Sequence, residues 1–587
     1  MPFEIQKPVL RQFLSFLLLL SAAFHPAAAQ APAPPATEES EETFYDTFDV
    51  SVVNVEVFVT DRQGNRVTGL TRDDFQILED GKPVEITNFY AAEATAAAPA
   101  PGPNPGAGGR ALPDALQEVQ SLQLAVYVDT TNLSSASGQR LRKSLEEFLA
   151  SRAGEQILIA SYGGADELKV RPVDTADPRA VAAAVGEVFT GLPGQPHRVM
   201  QLRQLLRETQ LGKDPTSVRS DADWSEVTLD EARISASVES YVQQVQRDAE
   251  VSIGALDHFL NGLAGLPGRK AVLHVSGGLP IHPGEAMGGA VGKKYWGYFR
   301  RQFDGRSQTD LEARLRQVEE RANANRITLY GLGQSDNVAP NYGWNPYGLW
   351  AHREEESERS GLARSLDEMA LPTGGLADLN AVNPGALLGQ MGQDLDSYYS
   401  LGYTPAHRRP GTTHALKVKV KRPDLVVRHR QSYRDRTPAE VLADRTVSAL
   451  YFGTKGNPLE LAVQIDGEGE LEKDQQKVKL TLKMPFSKLV VLPQGNVHQG
   501  RLQVAVAVRD AAGRTSKVTT FEVPVRIPND RLQEMFSQTV GYETRLAMRS
   551  VEHVVAVSVR DELGNLSSTV TTTWAPPAGG ACQTSSR

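Results

Sequence analysis

The chain has one cysteine in 587 residues, Cys582, so no intramolecular disulfide can form. Whatever holds it together must be hydrophobic cores, and its length allows roughly three to four domains at ~150 residues each. It also lacks a basic excess. The net charge of −9 argues against nucleic acid, because phosphate binding needs a concentrated basic face. Long apolar runs are absent after the first twenty residues, and a membrane-spanning helix needs about 20. Catalytic signatures are missing too. There is no Walker loop, no zinc-protease helix and no dinucleotide fingerprint. Ser276 follows a strand-like run, but a hydrolase elbow reads G-x-S-x-G, and position 274 is His.

The sequence does contain an export pattern. Lys7 and Arg11 precede the apolar run Phe13 to Leu20, and small residues then lead to Ala27-Ala28-Ala29. Residues 1–29 are therefore expected to be a signal peptide cleaved after Ala29, giving a periplasmic or secreted protein. Residues 30–43 and 93–113 are rich in Pro, Ala, Glu or Gly and read as linkers. The tail 577–587, with Cys582, reads as a frayed end.

Between these lie runs with different periods. In 44–92, Val53, Val55, Val57 and Val59 recur every second residue, as on one face of a strand. Asp61 to Gly64 is a turn, and two further strands follow. In 114–396 the rhythm changes. LQLAVYV (122–128) is almost wholly apolar, as buried parallel strands are, and strands then alternate with helices. Leu141, Leu145, Phe148 and Leu149 mark the first helix. Residues 397–435 return to strands. About four strands from 44–92 and three from 397–435 make a sandwich-sized set, so we expect one β domain with the α/β domain inserted into it. Residues 436–576 read as a short helix and a last β-sandwich. Their V-R-D-x-x-G-x-x-S turns at 508 and 559 read as hairpin chemistry rather than calcium loops.

The order of elements in 122–400 resembles a von Willebrand factor A domain. More narrowly, 45–435 resembles the bacterial VWFA-related exported proteins. VNVEVFVTDRQGNRVTGLTRDDFQILEDGKPVEITNF, LAVYVDTTN, LAGLPGRKAVLHVSGGLP and SYYSLGYTP carry the resemblance. It implies a multidomain fold, with a doubly wound, Rossmann-like α/β domain flanked by immunoglobulin-like all-β domains.

That family's adhesion site uses Asp-x-Ser-x-Ser, a loop Thr and a second Asp to hold a hard divalent cation, which wants near-octahedral oxygen ligands. Carried over, Asp129 matches the first Asp and Thr131 supplies a hydroxyl. Leu133 cannot ligate, and Gly277 stands where the second Asp is usual. The resemblance thus implies a degenerate site for Mg²⁺ or Mn²⁺ at Asp129 and Thr131. Ser134 or Ser135 would ligate only if the loop shifted by one residue. The bland alternative is that Asp129 bonds or caps the next helical turn.

Ligands of open α/β sheets meet the loops at the C-terminal ends of the strands. Those segments carry Trp224, Tyr295, Trp296, Tyr298, Tyr342, Trp344, Tyr347 and Trp350, residue types that anchor protein interfaces and stack on sugars. The expected function is a non-catalytic binding, adhesion or scaffolding protein. It would grip a protein or glycan outside the cytoplasmic membrane, with no transmembrane segment after signal cleavage. An envelope structural component and a hydrolase with an unrecognised site are the alternatives.

Overall fold

The computed structural model describes residues 52–92, 122–164, 168–194, 197–212, 218–281, 306–333, 361–379, 383–406, 409–454, 456–472 and 475–576. It is multidomain, with one α/β unit and two β units.

The first β unit draws strands from both ends of the α/β insertion. β1 (Val53–Thr60), β4 (Asn88–Ala92), β11 (Tyr398–Tyr403) and β13 (Val426–His429) form one sheet, in the order β13-β1-β11-β4. β2 (Phe75–Glu79), β3 (Lys82–Val84), β12 (Thr413–Val420) and β14 (Ser432–Arg434) form the other, in the order β14-β12-β2-β3. Val53, Val55, Val57 and Val59 point into the shared core with Ile77, Leu401 and Val418. Because side chains alternate along a strand, Glu56 and Phe58 must point the other way. They are buried as well, since that face rests on the α/β domain.

In the α/β domain, β5 (Leu122–Asp129), β6 (Gln156–Tyr162), β7 (Lys169–Asp174), β8 (Arg269–Ser276), β9 (Ile327–Leu332) and β10 (Ala377–Asp378) form one sheet ordered β10-β9-β8-β5-β6-β7. All neighbours are parallel except β6 and β7. Counted within the domain, the order is 6-5-4-1-2-3, that of the doubly wound fold, and the direction of winding reverses between β5 and β8. Helices α1 (Ser135–Ala150), α2 (Pro178–Val188) and α7 (Pro384–Asp396) cover one face. Helices α4 (Asp221–Ala264), α5 (Arg306–Ala324) and α6 (361–370) cover the other. Asp177 and Asn383 cap α2 and α7, each followed by a proline whose missing N–H costs nothing at that position.

α4 has 44 residues, about 66 Å of helix. Only its last part, from Ala249 through Ile253, Leu256 and Leu260 to Leu263, packs on the sheet. The preceding stretch packs on α3 (His197–Leu211) through Leu202, Leu205, Ile234, Val238, Val242 and Val245. Since α4 runs antiparallel to β5, this two-helix arm projects past the C-terminal ends of the strands by about 35 Å. Among the described residues no helix is long and apolar enough to cross a membrane.

The second β unit follows α8 (Pro438–Phe452), whose Thr437 and Glu440 form a capping box. Its strands are β15 (Ala462–Glu472), β16 (Gln475–Pro485), β17 (Leu492–Gln494), β18 (Val497–Asp510), β19 (Thr519–Pro528), β20 (Thr539–Arg549), β21 (His553–Asp561) and β22 (Leu566–Trp574). Two sheets, β15-β16-β20 and β17-β18-β21-β22 with β19 against β18, share the core of Leu480, Val504, Val557 and Trp574. The Asp of each recurrent turn is occupied by protein donors. Asp510 stays within its own hairpin turn, accepting Arg514 N (2.9 Å) and Arg514 Nε (2.8 Å). Asp561 accepts Leu563 N (3.2 Å) in its turn and Val490 N (2.7 Å) from a distant part of the chain.

Among the described residues, both β units dock at the N-terminal end of the parallel strands. Arg269 and Lys270 open β8, and Arg326 precedes β9. Arg269 lies over the Tyr398 ring (3.9 Å), and Arg326 pairs with Glu56. Asp394, at the end of α7, holds Arg428 (2.8 Å) and Arg66 from the β unit, and Tyr330 (3.0 Å) from β9. α8 touches the end of α4, where Ser448 accepts Gly265 N (2.8 Å) and Tyr451 meets His258 (2.6 Å).

Candidate functional site

The opposite end of the sheet carries the winding reversal, and Asp129 and Ser276 sit there side by side in register. Asp129 is 1% exposed. Its Oδ1 accepts Thr131 N (2.9 Å) and Thr131 Oγ1 (2.5 Å), an Asx-type turn, and the Ser252 hydroxyl of α4 also bonds it. Burial raises its pKa, and these hydrogen bonds oppose the shift without cancelling it. Asp129 does not cap the following helix. Ser134 does, with its hydroxyl accepting Ser137 N (3.1 Å), so that oxygen is committed to α1.

Asn132 ties the loops together. Its Nδ2 donates to Gly278 O (3.0 Å), and its Oδ1 accepts Arg198 Nε (3.3 Å) from the base of the arm. Its backbone occupies the room beside Gly277. A Cβ at 277 would lie 2.0 Å from Asn132 O and 2.6 Å from Asn132 C. The glycine is thus a packing requirement of this loop, and no second carboxylate fits there. Leu133 is fully buried in the core on the α1 side. Ser276 is fully buried and accepts Gly278 N (3.1 Å), so it is held as a turn residue.

Beneath Asp129 on the same face lie Tyr127 and His274, with ring centroids 5.4 Å apart. The Tyr127 hydroxyl and His274 Nε2 have no hydrogen-bond partner among the described residues. Burial pushes His274 down to about 4, which leaves a neutral imidazole at physiological pH. Tyr162, at the end of β6, is pushed up to about 12 by burial and by the nearby charges of Asp129 and Asp248.

These residues do not fit a family-type cation site. One carboxylate and two hydroxyls, Thr131 and Ser252, fall short of the oxygen set a hard cation needs. Among the described residues no group of three or more His, Cys, Asp or Glu could hold a metal ion. We expect Mg²⁺ or Mn²⁺ titration calorimetry to give no heat that Asp129→Asn abolishes. The same substitution should stabilise the protein as pH rises. A carboxyl whose folded pKa lies above its unfolded value contributes most below the unfolded pKa and loses that contribution as pH climbs through the folded one. Denaturation midpoints of the variant and the natural protein should therefore diverge, in favour of the variant, as pH rises above about 4, the ordinary Asp value.

Of the aromatic residues singled out in the sequence, the structure describes Trp224. It lies in the first turn of α4 at the far end of the arm, 56% exposed. Tyr295, Trp296, Tyr298, Tyr342, Trp344, Tyr347 and Trp350 lie outside the described residues, in the segments 282–305 and 334–360 that leave β8 and β9 at this same end. Asn132, Arg198 and Ser252 were not singled out in the sequence. The one signal for Ser252 is a small polar residue in the apolar series 249, 253, 256 and 260.

No protein-family model matches the chain, and no curated protein matches it. Among solved structures, an aerotolerance-related membrane protein from Bacteroides fragilis is similar over 47% of this chain and 98% of its own, at 8% identity and a TM-score of 0.20. The conserved hypothetical protein BatB from Bacteroides thetaiotaomicron is similar over the same shares, 47% and 98%, at 7% identity and a TM-score of 0.18. Scores of this size carry no argument about function, which must come from the chain's own geometry.

Proposed function

We propose that the protein is an exported, non-catalytic binding module. Its von Willebrand factor A-like domain would grip a protein or glycan partner with the C-terminal end of its sheet and the projecting arm, while the immunoglobulin-like β units act as spacers. One observation carries this reading: among the described residues, the docking contacts between the α/β domain and the β units use the opposite end of the sheet, and none of them falls at the winding reversal or on the arm. Ligands of doubly wound sheets bind at that reversal. The Asp129–Thr131–Asn132 turn, anchored by the buried Asp129, then acts as a floor for the loops around it. Export rests on the amino-terminal pattern ending at Ala29.

A photo-crosslinking residue placed at Trp224 tests the reading in producing cells. We expect discrete adducts from position 224 and none from Val426, which is exposed on the β unit. Adducts from 426 alone, or from neither position, would contradict it.

A further inference from the structure

The turn that ends α5 gathers more positive charge than its surroundings balance. Arg430 donates Nη1 to Asn323 O (2.7 Å) and Nη2 to Asn54 O (2.6 Å). Lys270 Nζ donates to Asn325 O (2.9 Å). Arg436 Nη1 bonds the Asn325 side chain and Asp444 (2.8 Å). Arg326, in the left-handed region at φ +55°, pairs with Glu56. Arg269 donates to the carbonyls of Asp394 and Leu395 beside them. Among the described residues, five basic side chains thus share this junction with two carboxylates, Glu56 and Asp444.

Helix ends offset part of the difference. α5 and α7 both terminate here, and each C-terminus carries about −0.5 of a charge. About two positive charges remain when Lys270 is protonated. Burial and mutual repulsion both act against that charge. Lys270 is pushed down to about 7, by burial first and then by Arg326 and Arg436. Arg430 is pushed down to about 10, by burial first, with Arg326 and Arg436 adding to the shift. Hydrogen bonding shows a matching deficit. The buried Nε donors of Arg269, Arg326 and Arg430 have no partner among the described residues. A buried donor left unmade costs about 1–3 kcal/mol, more when charged. One ligand would answer both deficits: a compact dianion whose oxygens accept several guanidinium donors at once.

We propose that this interdomain junction binds one tetrahedral oxyanion of the sulfate or phosphate class, held by Arg269, Arg326, Arg430 and Lys270. The rim of the cluster reaches solvent at Arg326 and Arg436, whose side chains are 21% and 25% exposed. The anion would stiffen the joint between the α/β domain and its two β neighbours. It lies at the opposite end of the sheet from the binding face and does not depend on that reading.

Thermal unfolding of the full chain tests it, in sodium sulfate, sodium phosphate and sodium chloride at matched ionic strength. We expect a saturating rise in Tm with one or both oxyanions and none with chloride. Saturation by phosphate alone identifies the ligand as phosphate; saturation by both identifies the charge and shape. Lys270→Met should weaken the apparent affinity by about tenfold or more, the scale of one partly buried unit charge. Arg326→Gln, at the rim, makes the same test should the Lys270 variant fail to fold. A rise that chloride reproduces, one that never saturates, or one unchanged in both variants would overturn the proposal.

Discussion

Asp394→Ala should cost the protein about 3–5 kcal/mol in a denaturant titration, because it leaves buried cations without their counter-charge. Asp394 is 1% exposed, and its carboxylate takes Arg428 on both oxygens (2.9 and 2.8 Å), Arg66, and the Tyr330 hydroxyl (3.0 Å). The two guanidinium groups flank the Phe58 ring at 5.7 and 5.3 Å, so they cannot swing out to water without uncovering it. Removing the carboxylate strands both. Asp394→Asn keeps the shape and loses the charge, and should forfeit most of the same amount. Arg66, Phe58 and Arg428 belong to the β unit, whereas Asp394 and Tyr330 belong to the α/β unit. The loss should therefore also split one unfolding transition into two. A loss below about 1 kcal/mol in both variants would mean that water replaces the carboxylate at little cost, as at exposed ion pairs.

Gly277→Asp should be at least as damaging, although it restores the carboxylate that the resembled family carries. The new Cβ would enter the space of the Asn132 carbonyl, at 2.0 Å, and relief requires backbone movement in a loop tied to Gly278 and Arg198. We expect at least about 3 kcal/mol of destabilisation, or no folded protein, in the range of severe overpacking. Gly277→Ala separates the causes: if sterics rule, alanine costs nearly as much as aspartate. A stable Gly277→Asp protein that gained Mn²⁺ affinity would show that this loop still accommodates the family arrangement.

How much of this was legible in the sequence depends on which contacts are local. The period-two valines of β1 and the apolar run of β5 announce their elements, because alternation and full burial leave direct marks on composition. That Gly277 departs from the family pattern was legible; that Asn132 is the reason was not, since their contact spans 145 positions. The arm was hidden for a related cause. Val238, Tyr241, Val242 and Val245 continue the helical period of Ala249, Ile253 and Leu256 without a break. One amphipathic stripe runs through both, and periodicity cannot say that its first part faces α3 and its second the sheet. The second face of β1 was hidden similarly: nothing local to Glu56 signals its burial, because Arg326 and Arg430, the charges beside it, lie far along the chain. Tyr295, Trp296, Tyr298, Tyr342, Trp344, Tyr347 and Trp350 lie outside the described residues, and their part in binding rests on sequence alone.

Strand β1 has a consequence for how the chain is made. Its partner across Val53 is Tyr403, 350 positions later (403 − 53). At about 5–20 residues per second, ribosomes need roughly 20–70 s to supply that partner after Val53 has been added. For that interval β1 carries four valines and unsatisfied edges, and the whole inserted domain must fold before the sheet can close. Pairings so distant in sequence form slowly, and exposed strands aggregate meanwhile. Biogenesis of this chain should therefore depend on a holding chaperone until residue 403 arrives, far more than either β unit's size suggests.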